Sequence, residues 1–153
     1  MPATTEALDT ATATRLRSVL GRLSRQLRTT AASTDAGLTP TKISVLLSVD
    51  RRGTTRISEV AEIEALNPTL LSRTISTLVD AGLLDRVLDA GDRRTAWVEV
   101  THEGHRLAER MRRERTEVVN RGMSALPESE RRILEQAIPA LEALADRFRD
   151  ESR

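Results

Sequence analysis

The sequence predicts a mainly α-helical protein interrupted by one small β-hairpin, and three observations carry that expectation. Ala, Leu, Arg and Glu dominate the composition while aromatics make up 1% of it, a mixture rich in strong helix formers. Apolar residues recur at three- and four-residue spacing through long stretches near both ends of the chain. Between residues 66 and 101 the pattern changes from a capped helix start to two short strand-like runs around a charged turn.

Each element follows from local chemistry. Residues 1–5 are a small, polar tail with nothing to bury. Over 8–30, Leu16, Val19, Leu20, Leu23 and Leu27 form an apolar stripe opposite Arg15, Arg17, Arg22, Arg25 and Arg28, which predicts a long amphipathic helix. Residues 31–37 are small and read as a linker. Thr39-Pro40 then caps and opens a second helix whose buried face is Ile43, Leu46 and Leu47, and Gly53 ends it. A short third helix is expected over 57–65, carrying Val60, Ala61 and Ile63. Asn67-Pro68 starts the next, with Leu71, Ile75 and Leu78 on one face and Thr69, Ser72, Arg73 and Ser76 on the other; Ala81-Gly82 stops it. Residues 83–88 and 96–100 read as strands joined by Asp89-Ala90-Gly91-Asp92-Arg93-Arg94-Thr95. Thr101 is placed to cap a helix over 102–125, whose charged middle reads as a solvated face laced with ion pairs. A last helix over 127–150 carries Ile133, Leu134, Ala137, Leu141, Leu144 and Phe148, and Pro139 in its interior is expected to kink it.

An exposed Thr/Ser/Arg helix face is by itself most often a solvated surface. The hairpin after it adds weight: a basic turn at Arg93-Arg94 beside a groove-sized helix supplies the two parts with which a winged helix-turn-helix grips DNA. Asn67-Pro68-Thr69-x-x-Ser72-Arg73, Gly82-Leu83-Leu84-x-Arg86, Asp92-Arg93-Arg94 and Val100-Thr101-x-x-Gly104 together resemble the recognition helix, wing and following helix start of MarR-type transcriptional regulators. The resemblance extends over nearly the whole chain. It implies a single domain over 1–153, with a winged helix-turn-helix core at 38–101, a linking helix at 102–125 and long dimerisation helices at 8–30 and 127–150.

The resemblance further implies a homodimeric repressor on a palindromic operator in double-stranded DNA, with affinity altered by a small-molecule effector. It assigns DNA contacts to Pro68, Thr69, Ser72, Arg73, Ser76, Arg93 and Arg94. Asp92 belongs to the wing signature, yet a carboxylate beside phosphates repels, so its expected part is to orient an Arg through a charge-assisted hydrogen bond. With one Phe, one Trp and no Tyr, an effector site is expected to be aliphatic, with Arg or His for an acidic group, and its residues stay unassigned.

Composition bounds the alternatives. A chain of 153 residues suffices for one domain with a substantial core. The absence of Cys excludes disulfides, thiolate metal sites and thiol redox sensing. Neither a signal-peptide pattern nor a membrane-length apolar run is present, the longest apolar stretch being 43–49, so a cytoplasmic location is expected. Net charge is +1, and residues 66–94 balance four Arg against four Asp, so any basic footprint is local. His102-Glu103-Gly104-His105 spaces its histidines three apart rather than the four of the zinc-protease pattern and reads as two surface histidines; no metal or other cofactor is expected. No phosphate-binding Gly-rich loop or nucleophile elbow occurs, which argues against an enzyme. The competing function is a winged-helix protein-interaction module, and the basic wing tip weighs against it.

Overall fold

Two helix starts obey the same rule. At Thr39-Pro40 and at Asn67-Pro68 a polar side chain satisfies a free backbone donor while proline takes the position that needs none: Thr39 Oγ1 accepts from the Lys42 amide at 3.4 Å and Asn67 Oδ1 from the Leu70 amide at 2.8 Å. These starts set α3 (Pro40–Arg52) and α5 (Pro68–Asp80) in a fold whose order is α1 (Thr10–Arg28), α2 (Ala31–Asp35), α3, β1 (Thr55–Arg56), α4 (Ile57–Ile63), α5, β2 (Leu84–Leu88), β3 (Ala96–Val100), α6 (His102–Ser124) and α7 (Glu128–Glu151). The computed structural model describes residues 10–88 and 96–151. By Cα proximity the chain divides into two compact units, Met1–Arg115 and Thr116–Arg153.

In the first unit, α3, α4 and α5 pack with the sheet around a core of Val45, Leu46, Val49, Val60, Leu71, Ile75, Leu78, Leu84 and Val98, all fully buried. Ala108 and Met111 of α6 close it. The sheet is antiparallel in the order β1-β3-β2, with Arg86 opposite Val98 and Val87 opposite Trp97. β1 is an addition to the expected hairpin: two residues, Thr55 and Arg56, pair with Val98 and Trp97. A run that short has no periodicity to read, and only its partner strand defines it.

The stretch 31–37, expected as a linker, instead begins with the short helix α2. Thr30 and Ser33 form a reciprocal capping box in which the Thr30 hydroxyl accepts from the Ser33 amide at 3.1 Å and the Ser33 hydroxyl accepts from the Thr30 amide at 3.0 Å. The usual Glu or Gln at the third position is replaced by Ser, which hides the signal. The α2 start is also tied to α6, because the Ala32 amide donates to Glu114 Oε2 at 3.0 Å.

α5 ends through Gly82, whose φ of +69° lets the Leu83 amide reach back to the Leu78 carbonyl at 2.9 Å. The same turn receives α6. The Thr101 hydroxyl donates to the Gly82 carbonyl at 2.7 Å and accepts from the Gly104 amide at 2.9 Å, the expected cap. Gly104 lies so close that a Cβ there would sit 2.0 Å from the Leu83 carbonyl oxygen. The α5–β2 turn and the α6 start are therefore one packed junction.

In the second unit, α7 runs as one helix through Pro139 and buries none of its large apolar residues: Ile133, Leu134, Ile138, Leu141 and Phe148 are all exposed. Leu16, Val19, Leu20 and Leu23 of α1 are exposed likewise.

Candidate nucleic-acid interface

Burial divides α5 into two faces. Leu71, Thr74, Ile75 and Leu78 are buried, and Thr74 satisfies its hydroxyl on the Leu70 carbonyl at 2.9 Å, as a buried hydroxyl must. Thr69, Ser72, Arg73 and Thr77 are exposed on the opposite side, and Pro68 is exposed at the helix start. No ion pair among the described residues engages the Arg73 guanidinium. Ser76 is half-buried and already occupied: its hydroxyl accepts from Arg86 Nη2 at 3.0 Å. The structure thus gathers Thr69, Ser72, Arg73 and Ser76 on one helix surface, as the helical spacing requires, and adds Arg86 from β2 to that surface. Arg86 was legible within Gly82-Leu83-Leu84-x-Arg86, but its contact with Ser76 requires the register of the sheet. Asp92, Arg93 and Arg94 lie outside the described residues.

On the other face of the sheet, Arg56 stacks over Trp97 with its guanidinium carbon 5.1 Å from the ring centroid. These two residues are directly opposed across β1 and β3.

Behind α5, the supporting helix α3 is fastened to α6 by one carboxylate. The Asp50 side chain is 1% exposed and meets two side chains of α6: His105 Nδ1 lies 2.7 Å from Oδ1, and Arg112 pairs with Oδ2. Burial by itself raises the Asp50 carboxyl, yet hydrogen bonds from Arg112 and His105 outweigh it and hold the group below the ordinary carboxylate value. His105 remains half-exposed, with Nε2 3.6 Å from Glu109. The charged middle of α6 is accordingly less a solvated face than its composition suggests, for Arg112 reaches α3 and Arg115 reaches the Arg28 carbonyl at 3.3 Å.

Beside this support lies an open hollow of about 680 Å³, lined by Leu27, Ile43, Leu47 and Leu66 and by Arg28, Arg51, Glu64 and Arg115. The Arg115 Nε is buried with no hydrogen-bond partner among the described residues. Burial, and then the neighbouring Arg112 charge, lowers the Arg115 pKa.

Comparison with known proteins agrees with this geometry. Residues 38–96 match the MarR family. An HTH-type transcriptional regulator of Mycobacterium bovis, itself uncharacterised, is 33% identical over 138 residues, covering 90% of this chain and 95% of the relative. The HTH-type transcriptional repressor MdtR of Bacillus subtilis is 30% identical over 94 residues, 61% of each chain. Among solved structures, a candidate transcriptional regulator of Pseudomonas aeruginosa superposes with a TM-score of 0.74 at 31% identity, covering 89% of this chain and 94% of that one.

Proposed function

The chain belongs to the MarR family of transcriptional regulators, and from that premise we propose that it is a homodimeric repressor that binds a palindromic operator and releases it on binding a small-molecule effector. The observation that carries the reading is the exposed polar face of α5, where Thr69, Ser72 and Arg73 are free to meet base edges and phosphates. Ser76, held by Arg86, extends that face toward the sheet, and Pro68 brings the backbone of the helix start close to the duplex. Arg93 and Arg94 act as the minor-groove finger with Asp92 orienting one of them, a role carried by the sequence motif. Similarity to MdtR supports repression.

The whole chain acts as one functional domain, in which α1 and α7 supply the dimer contact and α6 links it to the winged core. Their uncovered apolar stripes support this, since single chains rarely leave such surfaces to water. The effector site is the hollow lined by Leu27, Ile43, Leu47 and Leu66, with Arg28, Arg51 and Arg115 to receive an acidic group; the unsatisfied Arg115 Nε supports that assignment.

The test begins with an operator selected from fragments of the source genome. On that duplex Arg73→Ala should lose roughly 1–3 kcal/mol and much of its preference over scrambled DNA. Arg94→Ala should weaken both duplexes alike and lower the salt slope by about one unit. Unchanged affinities in both variants would remove this surface from the DNA interface.

A further inference from the structure

α5 carries one group that a purely polar, charge-reading surface does not need. Leu70 is 43% exposed, the one large hydrophobic residue of this helix left open to solvent, and helical spacing sets it beside exposed Arg73 and Thr77 at the edge of the polar face. Its position is fixed rather than frayed. The Leu70 amide is held by Asn67 Oδ1 at 2.8 Å and its carbonyl accepts from the Thr74 hydroxyl at 2.9 Å. The side chain therefore leaves the first turn of the helix at a set point, and first-turn residues of a recognition helix are those that meet base edges. Of the groups displayed in the major groove, only the thymine 5-methyl is apolar. Water around an exposed leucine and around that methyl is released together when the two meet.

The geometry points to Leu70 as a specificity-determining residue that reads a thymine methyl in each operator half-site. The inference rests on the DNA-binding reading of α5 and extends it, because hydrogen bonds to base edges are the same for thymine and uracil and only an apolar contact tells them apart. Leu70 offers a larger apolar surface for that contact than the single methyl of Thr69 or Thr77. It also predicts that the operator holds a thymine at a fixed offset from the base or phosphate contacted by Arg73, three residues along the same helix.

The experiment uses the full-length protein and the selected operator, with each thymine of a half-site replaced singly by deoxyuridine in both symmetry-related positions. Binding is followed by fluorescence anisotropy for the unmodified protein, Leu70→Ala and Leu70→Met. At one thymine, deoxyuridine should weaken the unmodified protein by about fourfold per half-site, the factor produced by burying one methylene-sized group. Leu70→Ala should bind the two duplexes equally, and Leu70→Met, which retains an apolar tip, should keep most of the discrimination. Melting curves of the variants should match that of the unmodified protein, since the side chain is exposed. If every deoxyuridine substitution shifts the unmodified protein and Leu70→Ala by the same factor, Leu70 reads no methyl and the inference fails while the DNA reading stands. If the unmodified protein does not distinguish operator from scrambled duplex, the DNA reading fails and this inference with it.

Discussion

The winged core and the terminal helices treat the same kind of residue in opposite ways. Between α3 and the start of α6, nine leucines, valines and isoleucines are completely sealed from water, Val45, Leu46, Val49, Val60, Leu71, Ile75, Leu78, Leu84 and Val98, while Ile63 and Leu70 stay open. In α7 the spacing is just as regular, yet Ile133 is 63% exposed and Phe148 58%. Periodicity thus identifies an apolar face without saying what covers it. The core completes its burial within one chain; the stripes of α1 and α7 stay exposed in it, and in the proposed reading a second copy covers them.

The largest expected effect attacks that contrast directly. Leu134→Lys combined with Leu141→Lys places two cations one heptad apart on the α7 stripe, at positions 43% and 38% exposed in the single chain. Were these positions truly solvated, the pair would alter stability by no more than about 0.5 kcal/mol each, because Lys is a good helix former. Covered by a partner, they become buried charges, and the dimer dissociation constant should rise by about a hundredfold or more. Sedimentation at graded concentration reads the difference, and operator affinity should fall with dimerisation. An unchanged association state would assign the stripe to another role.

Next comes a substitution in the sealed region. Gly104→Ala introduces a Cβ where the Leu83 carbonyl oxygen would be 2.0 Å away. Neither backbone can yield without opening the junction held by Thr101, so a loss of roughly 1–3 kcal/mol is expected, visible as a lower melting temperature. Unlike the α7 pair, it should not change the association state at temperatures where the protein is folded. A melting temperature equal to that of the unmodified protein would mean that the junction is loose in solution.

Asp50→Asn tests the fastening of α3 to α6. The carboxylate accepts from His105 and Arg112 with its side chain almost fully buried, and hydrogen bonds of that charged kind contribute roughly 1.5–3 kcal/mol each before the cost of burial is set against them. A net loss of about 1–2 kcal/mol at neutral pH is expected. The sign with pH follows from the direction of the shift: a carboxyl held below its ordinary value when folded stabilises above that value, and the benefit disappears as pH falls through the folded one. The unmodified protein should therefore lose melting temperature below about pH 4 more steeply than Asp50→Asn. Parallel curves would show that the carboxylate contributes no such linkage.

These tests also mark where the sequence could be read and where it could not. Thr39-Pro40 and Asn67-Pro68 announce their helices because a cap and a proline act within four residues, and both faces of α5 follow from helical spacing alone. The family resemblance, carried by short motifs, extended that reading to the winged architecture. Asp50 was invisible because its partners stand 55 and 62 residues away, and no local pattern encodes an ion pair between α3 and α6. Gly104 was in view within His102-Glu103-Gly104-His105, but the close approach that requires glycine depends on the path of the α5–β2 turn. Leu70 looked unremarkable because it stands beside Leu71, and only burial separates the sealed leucine from the open one.

The smallest expected effect sharpens the contrast from the stable side. The turn between α4 and α5 passes through Ala65 at a φ of +49°, while the Leu66 amide donates back to the Ala61 carbonyl at 3.0 Å. A left-handed alanine costs roughly 1–2 kcal/mol, and glycine would remove that cost. Glycine also gives the unfolded chain more freedom, worth about 0.5–1 kcal/mol in the other direction, so Ala65→Gly should stabilise by only about 0.5 kcal/mol. For a chain of this length that is a rise of about 1–2 °C in melting temperature. Because the strain lies inside one chain, the gain should be the same at every protein concentration, whereas the effect of the α7 substitutions should depend on it. A destabilised Ala65→Gly would mean that the backbone relaxes out of the left-handed region in solution. A gain that changes with concentration would couple the turn to association and end the division between a self-sufficient core and helices proposed to depend on a partner.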